Sequence, residues 1–139
     1  MAKRKHARVL ESLELHVTVA ASPREVFESW IDGDKHSAMT GAPATSEPKV
    51  GGRFTAWDGY IEGTHTELTP GKRIVQSWRS SDFPDDAPDS QVEIDLGAAP
   101  KGTRVTLKHT NIPAGQAKSY ESGWSEFYFE PMRKRWPES

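Results

Sequence analysis

The stretch from Gly51 to Asn111 alternates apolar and polar residues in short runs broken only by turn signals, and this pattern narrows the fold more than any other feature. The runs 53–58, 60–69, 73–80, 91–96 and 103–111 read as strands. Asp58-Gly59, Pro70-Gly71, the segment 82–86 and Pro100-Lys101-Gly102 supply the turns between them. Connections this short join antiparallel neighbours, so the five runs form a meander. A further strand over 13–19 precedes them, with Leu13, Leu15, Val17 and Val19 on one face.

Helical signals flank the strands. Ser22 is placed as an N-cap, Pro23 at the first helical position, and Glu25 to complete a capping box. Val26, Phe27, Trp30 and Ile31 then form a core-facing stripe that Gly33 ends. A shorter helix over 35–39 and a loop over 41–50 follow. From 117 to 136, Tyr120, Trp124, Phe127, Tyr128 and Met132 share one apolar face, and Pro131 should kink or break that helix. The order predicts an α+β fold: a curved antiparallel six-stranded sheet, two short helices after strand 1, and a long C-terminal helix across the concave face. This is a helix-grip arrangement, hollow wherever the helix side chains do not fill the space beneath. Residues 1–10 are expected to form a disordered tail and residues 11–139 a single domain.

Strand parity gives the inward residues. They are Ile74, Gln76 and Trp78, then Val92, Ile94 and Leu96, then Val105, Leu107 and His109, with Phe54 on its own strand. The run 60–69 does not alternate cleanly, since Ile61 and Leu68 fall on opposite parities; a bulge near Gly63 would reconcile them. Gln76 and His109 are polar groups on an otherwise apolar face. Each needs an internal partner, a water or a ligand, because an unpaired buried polar group costs about 1–3 kcal/mol. As candidate ligand contacts we take Phe27, Trp30, Phe54, Trp78, Trp124, Phe127 and Tyr128 as walls, with Gln76 and His109 as polar anchors. Trp57 and Trp136 are the tryptophans expected to be exposed.

Several chemistries lack their residues. There is no cysteine, so disulfides and thiolate sites are excluded. Five histidines are present without HExxH spacing, and no GxSxG, P-loop or GxGxxG occurs; neither a metal nor another cofactor is expected. The net charge of −2 gives no pull toward nucleic acid or an anionic membrane. No apolar run approaches a membrane span, and the basic N-terminus lacks the apolar core of a secretory signal, so the cytoplasm is the expected address.

Ala42-Pro43-Ala44-Thr45, Gly51-Gly52-Arg53-Phe54, Asp58-Gly59 with Gly63, Leu68-Thr69-Pro70 and Ile74-Val75-Gln76-Ser77-Trp78-Arg79 resemble the C-terminal domain of the activator of heat-shock protein 90 ATPase. Gly102-Thr103, Ile112-Pro113, Gly123-Trp124 and Tyr128-Phe129-Glu130 fit the same pattern, so the likeness runs over nearly the whole chain. The resemblance implies a START-like fold of the SRPBCC superfamily, a heat-shock protein 90-type chaperone as partner, and no catalytic constellation. Two functions are then expected in order: binding of a small apolar ligand between sheet and helix, or regulation of the chaperone ATPase by docking. An enzyme would need paired acid–base groups in the cavity, and parity places only His109 there.

Overall fold

The computed structural model describes residues 10–137. Its elements are β1 (Glu11–Val19), α1 (Pro23–Ile31), α2 (Gly33–Thr40), β2 (Thr45–Ser46), β3 (Arg53–Ala56), β4 (Ile61–Thr69), β5 (Arg73–Ser80), β6 (Ser90–Ala99), β7 (Gly102–Ile112), α3 (Ala117–Trp124), a π-helical turn (Ser125–Phe129) and α4 (Glu130–Arg135). The sheet is antiparallel in the order β1-β7-β6-β5-β4-β3-β2. It has seven strands, not six. The additional strand, β2, is two residues long, too short to show a period. It forms because Thr45 and Ser46 pair with Thr55 and Phe54. The expected tail falls on residues 1–9, outside the described residues, apart from exposed Leu10. No helix among the described residues is long and apolar enough to cross a membrane.

Ser22 caps α1 by accepting from Glu25 N at 3.1 Å. The Glu25 side chain does not close a capping box; its Oε2 accepts from Trp136 Nε1 at 3.0 Å. That bond ties the end of the C-terminal helix to α1 and buries Trp136 to 7% exposure, against the expectation that this ring would be exposed. Asp32, not Gly33, marks the junction of the two short helices, accepting from Lys35 N at 2.9 Å.

The irregularity of β4 lies at Thr66 rather than Gly63. The register runs from His65↔Gln76 to Glu67↔Val75, leaving Thr66 without a partner. One extra residue moves Ile61 and His65 onto the same face as Leu68, which resolves the parity conflict. Gly63 instead permits a close approach of neighbouring groups. A Cβ there would overlap the Ser77 carbonyl oxygen and press into the Phe54 ring. On the convex face Arg73 gathers Glu67, Glu93 and Asp95 at 2.8–3.2 Å, as suits a solvated surface.

Pro131 acts through the turn before it. A proline has no N–H and its ring collides with the carbonyl four residues back in a regular helix. Here the chain widens first: Glu130 N donates to Ser125 O, five residues back, and the proline follows immediately. The widened turn rotates the residues after Trp124. Phe129 enters the core at 2% exposure, while Phe127, expected on the apolar face, is left 46% exposed at its edge.

Candidate ligand cavity

A cavity of about 300 Å³ opens between the sheet and the C-terminal helix, lined by Trp57, Tyr60, Ile61, Trp78, Tyr120, Gly123, Trp124, Phe127 and Tyr128. Of the nine residues taken as ligand contacts, Trp78, Trp124, Phe127 and Tyr128 meet there. Phe27, Trp30, Phe54, Gln76 and His109 do not line it. Trp30 stands behind the wall, its ring 5.2 Å from Tyr128 and 6.4 Å from Trp124 in stacked geometry. Phe27 belongs to the core, and Phe54 stacks on His65 at 5.3 Å.

The expected contacts did not include Tyr60, Ile61, Tyr120 or Gly123, and Trp57 was expected to be exposed. Trp57 escapes strand parity because Trp57, Asp58 and Gly59 all have positive φ (54°, 57° and 88°). Such a run is uncommon for residues with a Cβ. It turns the Trp57 ring back over Phe127, 5.3 Å away edge to face. Asp58 N donates to Pro43 O at 2.9 Å and Tyr60 N to Trp57 O at 3.1 Å, which holds the turn. The Asp-Gly pair signalled a turn; nothing in the sequence indicated that it would begin one residue earlier.

The hydroxyls of Tyr60, Tyr120 and Tyr128 and the Trp124 N–H are engaged away from the hollow. The Tyr60 hydroxyl donates to Asp82 Oδ2 at 2.5 Å, and Tyr120 Oη donates to Gln116 Oε1 at 2.9 Å while also meeting Ser80 Oγ. Burial, then the Asp82 carboxylate, pushes the Tyr60 hydroxyl up to about 12. Tyr128 Oη pairs with His36 Nε2 at 2.8 Å, and Trp124 Nε1 donates to His109 Nδ1 at 3.1 Å. What faces the cavity is ring surface.

The two polar anchors have internal partners, and their bonding fixes the tautomer of His109. Because Trp124 donates to His109 Nδ1, the proton of that ring lies on Nε2, which donates to Ser90 Oγ at 2.8 Å; Ser90 in turn donates to Trp78 O. Gln76 Nε2 reaches His65 Nδ1 at 3.4 Å, His65 Nε2 meets Ser46 Oγ at 2.8 Å, and Ser46 donates to Ile31 O. The same relay therefore occurs twice: an N–H donor, a neutral imidazole, a serine and a backbone carbonyl. Burial lowers all three core histidines: His109 to about 3, His65 to about 4 with repulsion from His36 added, and His36 downward from its usual value.

These Ser–His pairs run with the polarity opposite to that of an activated nucleophile. A general base accepts the serine proton. Here the serine proton goes to a main-chain carbonyl and the imidazole donates. Among the described residues, no three His, Asp or Glu side chains are grouped to hold a metal ion.

The chain matches the family described as "Activator of Hsp90 ATPase homolog 1-like protein" over residues 20–135. The human activator of 90 kDa heat shock protein ATPase homolog 1 is 32% identical over 124 residues, covering 88% of this chain and 36% of the relative. The Dictyostelium discoideum homolog is 31% identical over 115 residues, covering 82% and 30%. This chain thus spans about a third of the length of these curated relatives. Among solved structures, an HSP90 activator from Plasmodium falciparum superposes with a TM-score of 0.82 at 26% identity, covering 92% of this chain and 99% of that one. The Aha1 dimer from Colwellia psychrerythraea, at 16% identity and a TM-score of 0.72, shares the fold. Matched over nearly its whole sheet-and-helix unit, the chain belongs to the activator of Hsp90 ATPase homolog 1-like family.

Proposed function

We propose that this protein binds a small hydrophobic ligand in the cavity between its sheet and its C-terminal helix. The observation that carries the reading is the cavity's wall, which is built of aromatic rings, with its three tyrosine hydroxyls and the Trp124 N–H paired elsewhere. A volume of about 300 Å³ lies at the small end of the range that ligand sites occupy. The partly exposed Trp57 and exposed Phe127 form the entrance, where a ligand would bury them. Native mass spectrometry of protein purified from its own host, with a denatured control, tests this. An added mass of a few hundred daltons, lost on denaturation, is expected. A bare protein mass, with no response to added apolar probes, would refute it.

A second reading rests on kinship: regulation of a heat-shock protein 90-type chaperone by docking. The structure of the Plasmodium HSP90 activator matches this chain over 99% of the chain it contains. Under this reading, adding the protein to the chaperone of its own host accelerates ATP turnover. An unchanged rate at saturating concentration would count decisively against it.

A further inference from the structure

We infer that the cavity selects a quaternary ammonium group: its ligand is an organic cation without N–H donors, carried on a small apolar body. The inference rests on the cavity being a ligand site and adds the chemical class of the ligand.

Three observations lead there. First, the wall is dominated by aromatic rings, which supply seven of its nine lining residues. Aromatic faces attract cations, indoles most strongly and phenols next. The Tyr60 hydroxyl donates to the Asp82 carboxylate, which enriches that ring further.

Second, the segments that line the cavity, together with the neighbouring turn 80–86 whose Asp82 accepts from Tyr60, are acidic although the whole chain is only at −2. Stretches 57–61, 80–86 and 120–128 carry Asp58, Asp82, Asp85, Asp86, Glu121 and Glu126, and neither lysine nor arginine. All six carboxylates belong to exposed residues. Arg79, beside Trp78 in sequence, is engaged with Pro84 O, Ala87 O and Asp89. A field of this sign draws cations toward the mouth and repels anionic amphiphiles such as fatty acids.

Third, the wall offers the cavity carbon surface and no polar atom. The hydroxyls of Tyr60, Tyr120 and Tyr128 are turned to Asp82, Gln116 and His36. A primary ammonium brings three N–H donors that each need a partner. A quaternary ammonium brings none, and its charge is met by ring faces alone.

The test titrates phenyltrimethylammonium and its uncharged isostere tert-butylbenzene into the protein, following tryptophan fluorescence. The cation should bind at least ten-fold tighter than the isostere. Trp57→Leu should weaken the cation about ten-fold, and Asp82→Asn about three-fold, with the isostere changed by less than two-fold in each. Phe127→Leu, at a more exposed position, serves as a second wall variant should Trp57→Leu melt early. If the isostere binds as tightly as the cation, the charge selectivity is refuted and the apolar cavity reading survives. If neither binds, both fall together.

Discussion

Trp124 and Tyr128 divide the sheet–helix interface into two environments. Their polar edges point into a sealed region, where the Trp124 N–H meets His109 and the Tyr128 hydroxyl meets His36. Their faces look into a hollow lined by rings. In the sealed region three histidines, two serines and Gln76 are held by internal bonds, and no buried side-chain polar atom among the described residues lacks a partner. The hollow is bounded instead by aromatic ring surface. The difference shows where this fold is determined and where it has room. The sealed region holds the helix to the sheet through directional bonds that tolerate one arrangement, whereas the wall of the cavity faces it with carbon surface alone.

Acid is the largest perturbation that can break this division. The three core histidines are held below their ordinary pKa, so the folded state binds fewer protons than the unfolded state. Their contribution is fully present above about pH 6.5 and is lost as pH falls through the interval down to the folded values, about 4 for His65 and about 3 for His109. Each adds a slope of up to about 1.4 kcal/mol per pH unit. Urea melts at pH 7.0, 6.0 and 5.0 should show stability falling with a steepening slope. A flat profile down to pH 5 would mean that these rings carry protons in the fold, which the bond from Trp124 to His109 Nδ1 forbids.

His109→Leu isolates one relay. Leucine fills the site but leaves the Trp124 N–H without an acceptor, so a loss of about 1–3 kcal/mol is expected, together with a pH slope reduced by one proton. The division makes a sharper claim as well: His109 does not line the cavity, so a probe bound there should keep its affinity wherever the variant is folded. A large affinity loss at undiminished stability would show that the two environments are not separate.

The sealed region was easier to read in the sequence than the hollow, and the reason is periodicity. Gln76 and His109 emerged because strand alternation put a polar residue where an apolar one was due. Alternation and the helical stripe gave Trp78, Trp124 and Tyr128 of the cavity wall, but Trp57 and Phe127 join it where periodicity stops. Trp57 sits in left-handed backbone just past a strand. Phe127 sits in a π turn that rotates it out of the helical stripe and brings Phe129 in. His65 was hidden for the same reason, since the bulge at Thr66 scrambled the parity of its strand. The architecture was legible apart from β2, whose two residues carry no pattern.

Gly123 tests the comparison with the smallest change. It lies inside α3 on the cavity wall, and a Cβ built there meets only Phe127 Cδ2, at 3.9 Å, an ordinary contact. Glycine in a helix interior is less stable than alanine by about 0.5–1 kcal/mol. Nothing nearby obstructs the larger residue. Gly123→Ala should therefore raise Tm by about 2–4 °C, while reducing the volume of the hollow by one methyl group and weakening probe binding about two- to three-fold. A gain in stability with affinity unchanged would mean that the ligand does not reach this part of the wall. A loss of stability would mean that the helix already packs against the sheet there, and that the hollow is smaller than its nine lining residues define. Rising stability with falling affinity is the signature of a glycine whose role is to leave space.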